Sequence, residues 1–157
     1  MINLAPSDVN LGVSVELPAA GNAATSATLD LQAIAPNSSA WRLGLFRVSF
    51  PAVAGHETAA DSITVALKAA PPSLTTGASA AAPSTPPAGA FITPAVAETL
   101  SVAGVAATGS AAGNYYMHMP LDSNGSTYQF YEFVITVPAS ATTASEVVNI
   151  EFIPTRG

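Results

Sequence analysis

Two histidines, ten acids and no cysteine bound the chemistry open to this chain. Nucleophilic catalysis needs a Ser, Cys or Thr whose proton an oriented base can take, and only His56 and His118 offer an imidazole for that role. His118 stands between Met117 and Met119 in an alternating segment, where a structural or surface histidine is expected. His56 lies beside Glu57 and close to Asp61. Those three could hold a cation loosely, but no second cluster at ligand spacing backs them. Asp122-Ser123-Asn124-Gly125 starts like a calcium loop yet lacks the further acid and the bidentate Glu. Its Asn-Gly pair reads instead as a hairpin turn.

Glu132 and Glu151 are the acids set mid-strand among aromatics. Glycoside hydrolysis would need them to converge on one bond, whereas alternation turns both outward, toward solvent or an interface. Gly104 and Gly109 stand in a small-residue region without the strand-to-helix context of a phosphate loop. Trp41, Tyr116 and Tyr131 could form a row of rings against a sugar, although packing is the expected use of aromatics this few. No catalytic residue, metal site or cofactor is expected, and the chain reads as a non-enzyme.

The elements that must position these residues are strands. In residues 9–17 every odd position is apolar and every even one is polar or Gly, the signature of a strand with one wet face. Residues 18–26 read as a small-residue turn region. Residues 27–34 form a second strand with Leu29, Leu31 and Ala33 inward, broken by Pro36 and the residues after it. Residues 41–50 form a longer strand ended by Pro51, and 63–68 a short one. Strand character resumes over 91–107, interrupted at Pro94 and Gly104. After a turn at 109–114 come strands at 115–121, 127–137 and 147–154, the first two joined by the Asn-Gly hairpin. Nowhere do apolar residues recur at helical spacing. The expectation is an all-β fold, an antiparallel β-sandwich of jelly-roll type.

Residues 69–90 are almost wholly Ala, Pro, Ser, Thr and Gly. Pro71, Pro72, Pro83, Pro86 and Pro87 exclude helix and sheet interior there. A structureless loop of that length inside a compact domain tends to be functional or disordered. Ordering it alone would cost roughly 1–2 kcal/mol per residue. The organisation expected is an N-terminal arm over 1–8 and one β-domain over 9–157, with 69–90 inserted.

Composition narrows the partners. Only 9% of the 157 residues are charged, against about 25% in an average soluble domain. The exterior must therefore be built from hydroxyls, amides and small residues, as suits a surface that neighbours cover. Net charge is −6, and Arg42, Arg47, Lys68 and Arg156 are the only fixed cations, so no direct nucleic-acid contact is expected. No stretch is apolar enough to span a membrane. Residues 1–8 lack a basic and an apolar signal region, so synthesis in a cytoplasm is expected. Asn37-Ser38-Ser39 and Asn124-Gly125-Ser126 are read as turns.

In order of elements the chain resembles the capsid decoration, or cement, proteins of tailed bacteriophages, in particular the Bbp16-like group. Leu29-Asp30-Leu31-Gln32-Ala33 precedes the strand Leu43-Gly44-Leu45-Phe46-Arg47-Val48-Ser49. A short Thr-Val strand at 63–67 and a small-residue approach to an aromatic strand follow. Phe133-Val134-Ile135-Thr136-Val137, a Ser/Thr/Ala turn and a last apolar strand close the domain. The likeness covers roughly 27–154. It departs at the Pro-rich 69–90, where the group has a brief loop, and at 115–121, where a basic segment is common.

The resemblance implies a virion protein on the outer capsid surface, often a homo-trimer, that bridges subunits of the major capsid protein. Burying area on several subunits at once gains avidity without strong single contacts. The partner-facing residues expected are Met1, Ile2, Asn3 and Leu4 of the arm, with Pro71, Pro72, Leu74, Pro83, Pro86 and Pro87 of the loop. The alternative expectation is a minor capsid, head-fibre or receptor-binding module with carbohydrate-binding capacity.

Overall fold

The computed structural model describes residues 12–31, 44–53, 62–70, 91–94, 97–103, 111–120, 128–141 and 145–154. They form β1 Gly12–Glu16, β2 Ala23–Thr25, β3 Leu29–Asp30, β4 Gly44–Phe50, β5 Ser62–Ala70, β6 Thr99–Ala103, β7 Gly113–His118, β8 Phe130–Thr136 and β9 Val147–Pro154. All pairings are antiparallel, in one sheet ordered β1-β9-β4-β7 and another ordered β2-β8-β5-β6, with β3 also on β8. The all-β sandwich expected from the alternation is what forms.

Period two decides which side chains go inside. Phe46, Val48 and Phe50 of β4, Val148, Ile150 and Phe152 of β9, and Met117 of β7 are buried from one sheet. Ile63, Val65 and Leu67 of β5 and Tyr131, Phe133 and Ile135 of β8 meet them from the other. Phe46 sits at the centre, its ring 5.0 Å from Tyr131, 5.1 Å from Phe133 and 5.6 Å from Phe152. Each such large apolar side chain contributes about 1.5–3 kcal/mol on burial. Ala70, Phe91 and Phe130 make a small second cluster.

Four details differ from the sequence reading. Residues 18–26 hold β2 as well as a turn, because Ala23, Ala24 and Thr25 pair with Thr136, Ile135 and Val134 of β8. Ala23 and Ala24 carry little strand propensity, and the neighbouring strand supplies the order. Second, β5 runs on through Ala69 and Ala70, which pair with Tyr131 and Phe130, so the Pro-rich stretch begins at Pro71. Third, β7 starts at Gly113, inside the expected turn.

Fourth, β7 and β8 do not pair with each other: β7 lies against β4 and β8 against β5. The chain between them passes from one sheet to the other, so no hairpin joins them. Alternation cannot distinguish a hairpin from an arch, since each strand buries one face in either case. Among the described strands, β5 and β6 alone are both consecutive and paired, apart from β2 and β3 sharing β8.

β2 and β3 together form one interrupted strand. Ala23↔Thr136 and Thr25↔Val134 share a register, but Leu29↔Tyr131 and Asp30↔Phe130 are slipped by one residue. The extra residue is a bulge. The buried Ser26 repairs it: its hydroxyl donates to the Ala27 carbonyl at 2.8 Å and accepts the Phe133 N–H at 3.0 Å.

Candidate functional site

The outward residues of the two sheets form the surfaces available for function. On the β1-β9-β4-β7 sheet the register sets Ser14 opposite Asn149, Asn149 opposite Ser49, and Ser49 opposite Asn114. This makes a continuous row of hydroxyls and amides across all four strands. Ser14 donates to Asn149 Oδ1 at 2.7 Å and Ser49 to Asn114 Oδ1 at 2.8 Å. The next row runs Gly12, Glu151, Arg47 and Tyr116. Arg47 and Glu151 form an ion pair, so one of the few cations is neutralised on the sheet itself. Tyr116 stands beside them, 55% exposed.

The outer face of the other sheet carries mostly small residues and threonines. Thr136 faces Ala23 and Thr64, and Thr64 faces Ser101. Val134 faces Thr25 and Ala66, and Ala66 faces Thr99. Glu132 lies opposite Lys68 and accepts a hydrogen bond from Thr28 Oγ1 at 2.8 Å. Ser14, Asn149, Ser49, Asn114 and Glu132 thus come with hydrogen-bond partners already in place, whereas the Nε of Arg47 is buried without one.

Glu132 and Glu151 occupy opposite outer faces, since Tyr131 and Phe133 on one side and Ile150 and Phe152 on the other point inward. Both sheets, about 10 Å apart, lie between the carboxylates. They cannot flank one glycosidic bond. Both are half-buried and partnered, which refines the outward placement expected of them.

His118 is exposed at the end of β7, its Nδ1 3.1 and 3.2 Å from the carboxylate oxygens of Glu98. Hydrogen bonding from His118, through its ring and its backbone amide, holds the Glu98 carboxyl below its ordinary value. The pair is an electrostatic link between the end of β7 and the residue just ahead of β6. Among the described residues no group of three or more His, Asp or Glu could hold a metal, and no helix is long and apolar enough to cross a membrane.

Tyr131 takes the packing role expected of it and no place in a row of exposed rings: it is fully buried in the core, and its hydroxyl donates to the Tyr128 carbonyl at 3.0 Å. Tyr116 is exposed, while Trp41 lies outside the described residues. Also outside them are His56, Glu57 and Asp61, the Asp122–Gly125 turn, the arm residues Met1, Ile2, Asn3 and Leu4, and the loop residues Pro71, Pro72, Leu74, Pro83, Pro86 and Pro87. The Ser14, Asn149, Ser49 and Asn114 row was not singled out from sequence. Small polar residues at outward positions resemble any wet face until register aligns them.

Compared with protein-family models, with curated proteins and with solved structures, the chain has no significant match.

Proposed function

We propose that this chain is a non-enzymatic virion protein that decorates the outer surface of a tailed-bacteriophage capsid, as a homo-trimer bridging major capsid protein subunits. The observation that carries this reading is the chemistry of the two outer faces. Covering ionised side chains incurs a large desolvation cost, and covering unpartnered amides a smaller one. Here Ser14, Asn149, Ser49 and Asn114 are already hydrogen-bonded in pairs, and Arg47 is paired with Glu151. The Ser14–Asn149 and Ser49–Asn114 row can be buried against protein at low cost. It suits a molecule whose affinity is the sum of many modest contacts.

The strand order also supports a jelly roll, a fold frequent among capsid proteins. With β2 and β3 counted as one bulged strand the described strands number eight, and the first, eighth, third and sixth face the second, seventh, fourth and fifth. Two interlocked Greek keys give that order. The partner-facing segments in this reading remain the arm over 1–8 and the Pro-rich loop.

Co-sedimentation with undecorated capsids tests the proposal. Saturable binding at a fixed ratio of trimers to capsid subunits is expected. Failure to bind shells, together with retention on host-cell glycans, would favour the receptor-binding alternative, for which the exposed Tyr116 is the supporting feature.

A further inference from the structure

The free side of β7 is an unpaired strand edge among the described residues. Met119 donates its N–H to the Gly44 carbonyl at 3.3 Å. With Leu45 opposite His118, this fixes the alternation of the ladder. The amides and carbonyls of Gly113, Tyr115 and Met117 turn to β4, and those of Asn114, Tyr116 and His118 turn outward. Such a row is a template for another strand, and proteins normally blunt it with Pro, Lys or a bulge. Gly113–His118 contains neither Pro nor Lys, and its register to β4 runs unbroken.

One side chain reaches this edge from the opposite sheet. Glu98, just ahead of β6, brings Oε2 to 3.4 Å from the His118 N–H, and its two oxygens lie at 3.1 and 3.2 Å from His118 Nδ1. The carboxylate therefore occupies one of the three outward backbone donors.

We propose that Glu98 is an edge guard that keeps β7 from pairing antiparallel with β7 of a second copy of this chain. The free edge is self-complementary about Tyr116. Placing Tyr116 opposite its counterpart sets Asn114 opposite His118 at both ends, which uses every outward N–H and C=O. The exposed Tyr116 then meets its counterpart as a cross-strand aromatic pair, a favourable contact in antiparallel sheets. Glu98 blocks both ends of that ladder: it takes the His118 N–H and sets a negative charge where the carbonyl of the second copy's Asn114 must come. This inference does not depend on what the chain binds.

The test compares the full-length wild-type chain with Glu98→Ala by sedimentation velocity and residue-resolved amide exchange. The expected result is a particle of twice the wild-type mass, with the Tyr116 amide exchanging roughly tenfold or more slowly than in the wild type. Adding Tyr116→Pro to Glu98→Ala should restore the wild-type mass, because it removes the central outward donor at a position where an edge strand tolerates proline. A Glu98→Ala particle of unchanged mass would overturn the proposal. So would a doubled mass that survives Tyr116→Pro.

Discussion

The Ser26 hydroxyl accepts the amide proton of Phe133 at 3.0 Å, inside the sandwich, where the register between β8 and its edge partner slips by one residue. A side chain there takes the place of a backbone carbonyl that the bulge has moved away. Removing it leaves a buried N–H without an acceptor. Ser26→Ala should destabilise the fold by about 1–3 kcal/mol, read as a lower denaturant midpoint with an unchanged slope. A stability equal to wild type would mean that the bulge relaxes without the hydroxyl.

Tyr131 gives a prediction in alkali. Burial pushes its hydroxyl well above the ordinary tyrosine value of 10.0, and the hydrogen bond it donates to the Tyr128 carbonyl requires the neutral form. The neutral form is the one the fold holds. Its stabilising effect is fully present below about 10, the value in the unfolded chain, and is lost as pH rises beyond it. Of the four tyrosines, Tyr131 should ionise only as the chain unfolds, giving an absorbance step that coincides with loss of the β-sheet circular dichroism. Tyr131→Phe should remove that step at a cost of about 0.5–1.5 kcal/mol for the lost hydrogen bond.

The Glu98–His118 pair gives one in acid. Because hydrogen bonding from His118 lowers the Glu98 carboxyl below 4.5, its contribution is present above the unfolded value and lost as pH falls through the lower folded one. Carboxyl-resolved NMR titration should place the Glu98 midpoint below 4.5. His118→Ala should move it upward. An unchanged midpoint in that variant would show that the contact does not persist in solution.

Gly44 marks a close approach of backbone to ring. A Cβ built there would lie 2.2 Å from the Phe152 ring and 2.8 Å from the Ile153 carbonyl oxygen. Phe152 is fully packed against Phe46, so the ring has little room to yield. Gly44→Ala should cost on the order of 1–3 kcal/mol, measured by thermal unfolding, whereas Gly21→Ala, in a turn on the surface, should act through its positive φ of 77° instead.

Most strands were legible because burial on one face writes a period of two. Val13, Val15 and Leu17, or Ile63, Val65 and Leu67, announce both the strand and its inward side. Pairing was not legible. Asn124-Gly125 suggested that β7 and β8 form a hairpin, yet the strands lie in different sheets, since turn chemistry reports a change of direction and not a partner. The bulge was hidden for a related reason: Ser26 becomes informative only once Phe133 is beside it. The outer-face row from Ser14 to Asn114 likewise exists through register, joining residues up to 135 positions apart.

The most direct measurement of the decoration reading is the melting temperature of undecorated capsids titrated with the purified chain. It should rise and then plateau at a fixed stoichiometry, and charge-introducing changes on the outer row, such as Asn149→Lys with Ser49→Glu, should reduce the rise while leaving the chain folded. A melting temperature unmoved at saturating protein would contradict the account.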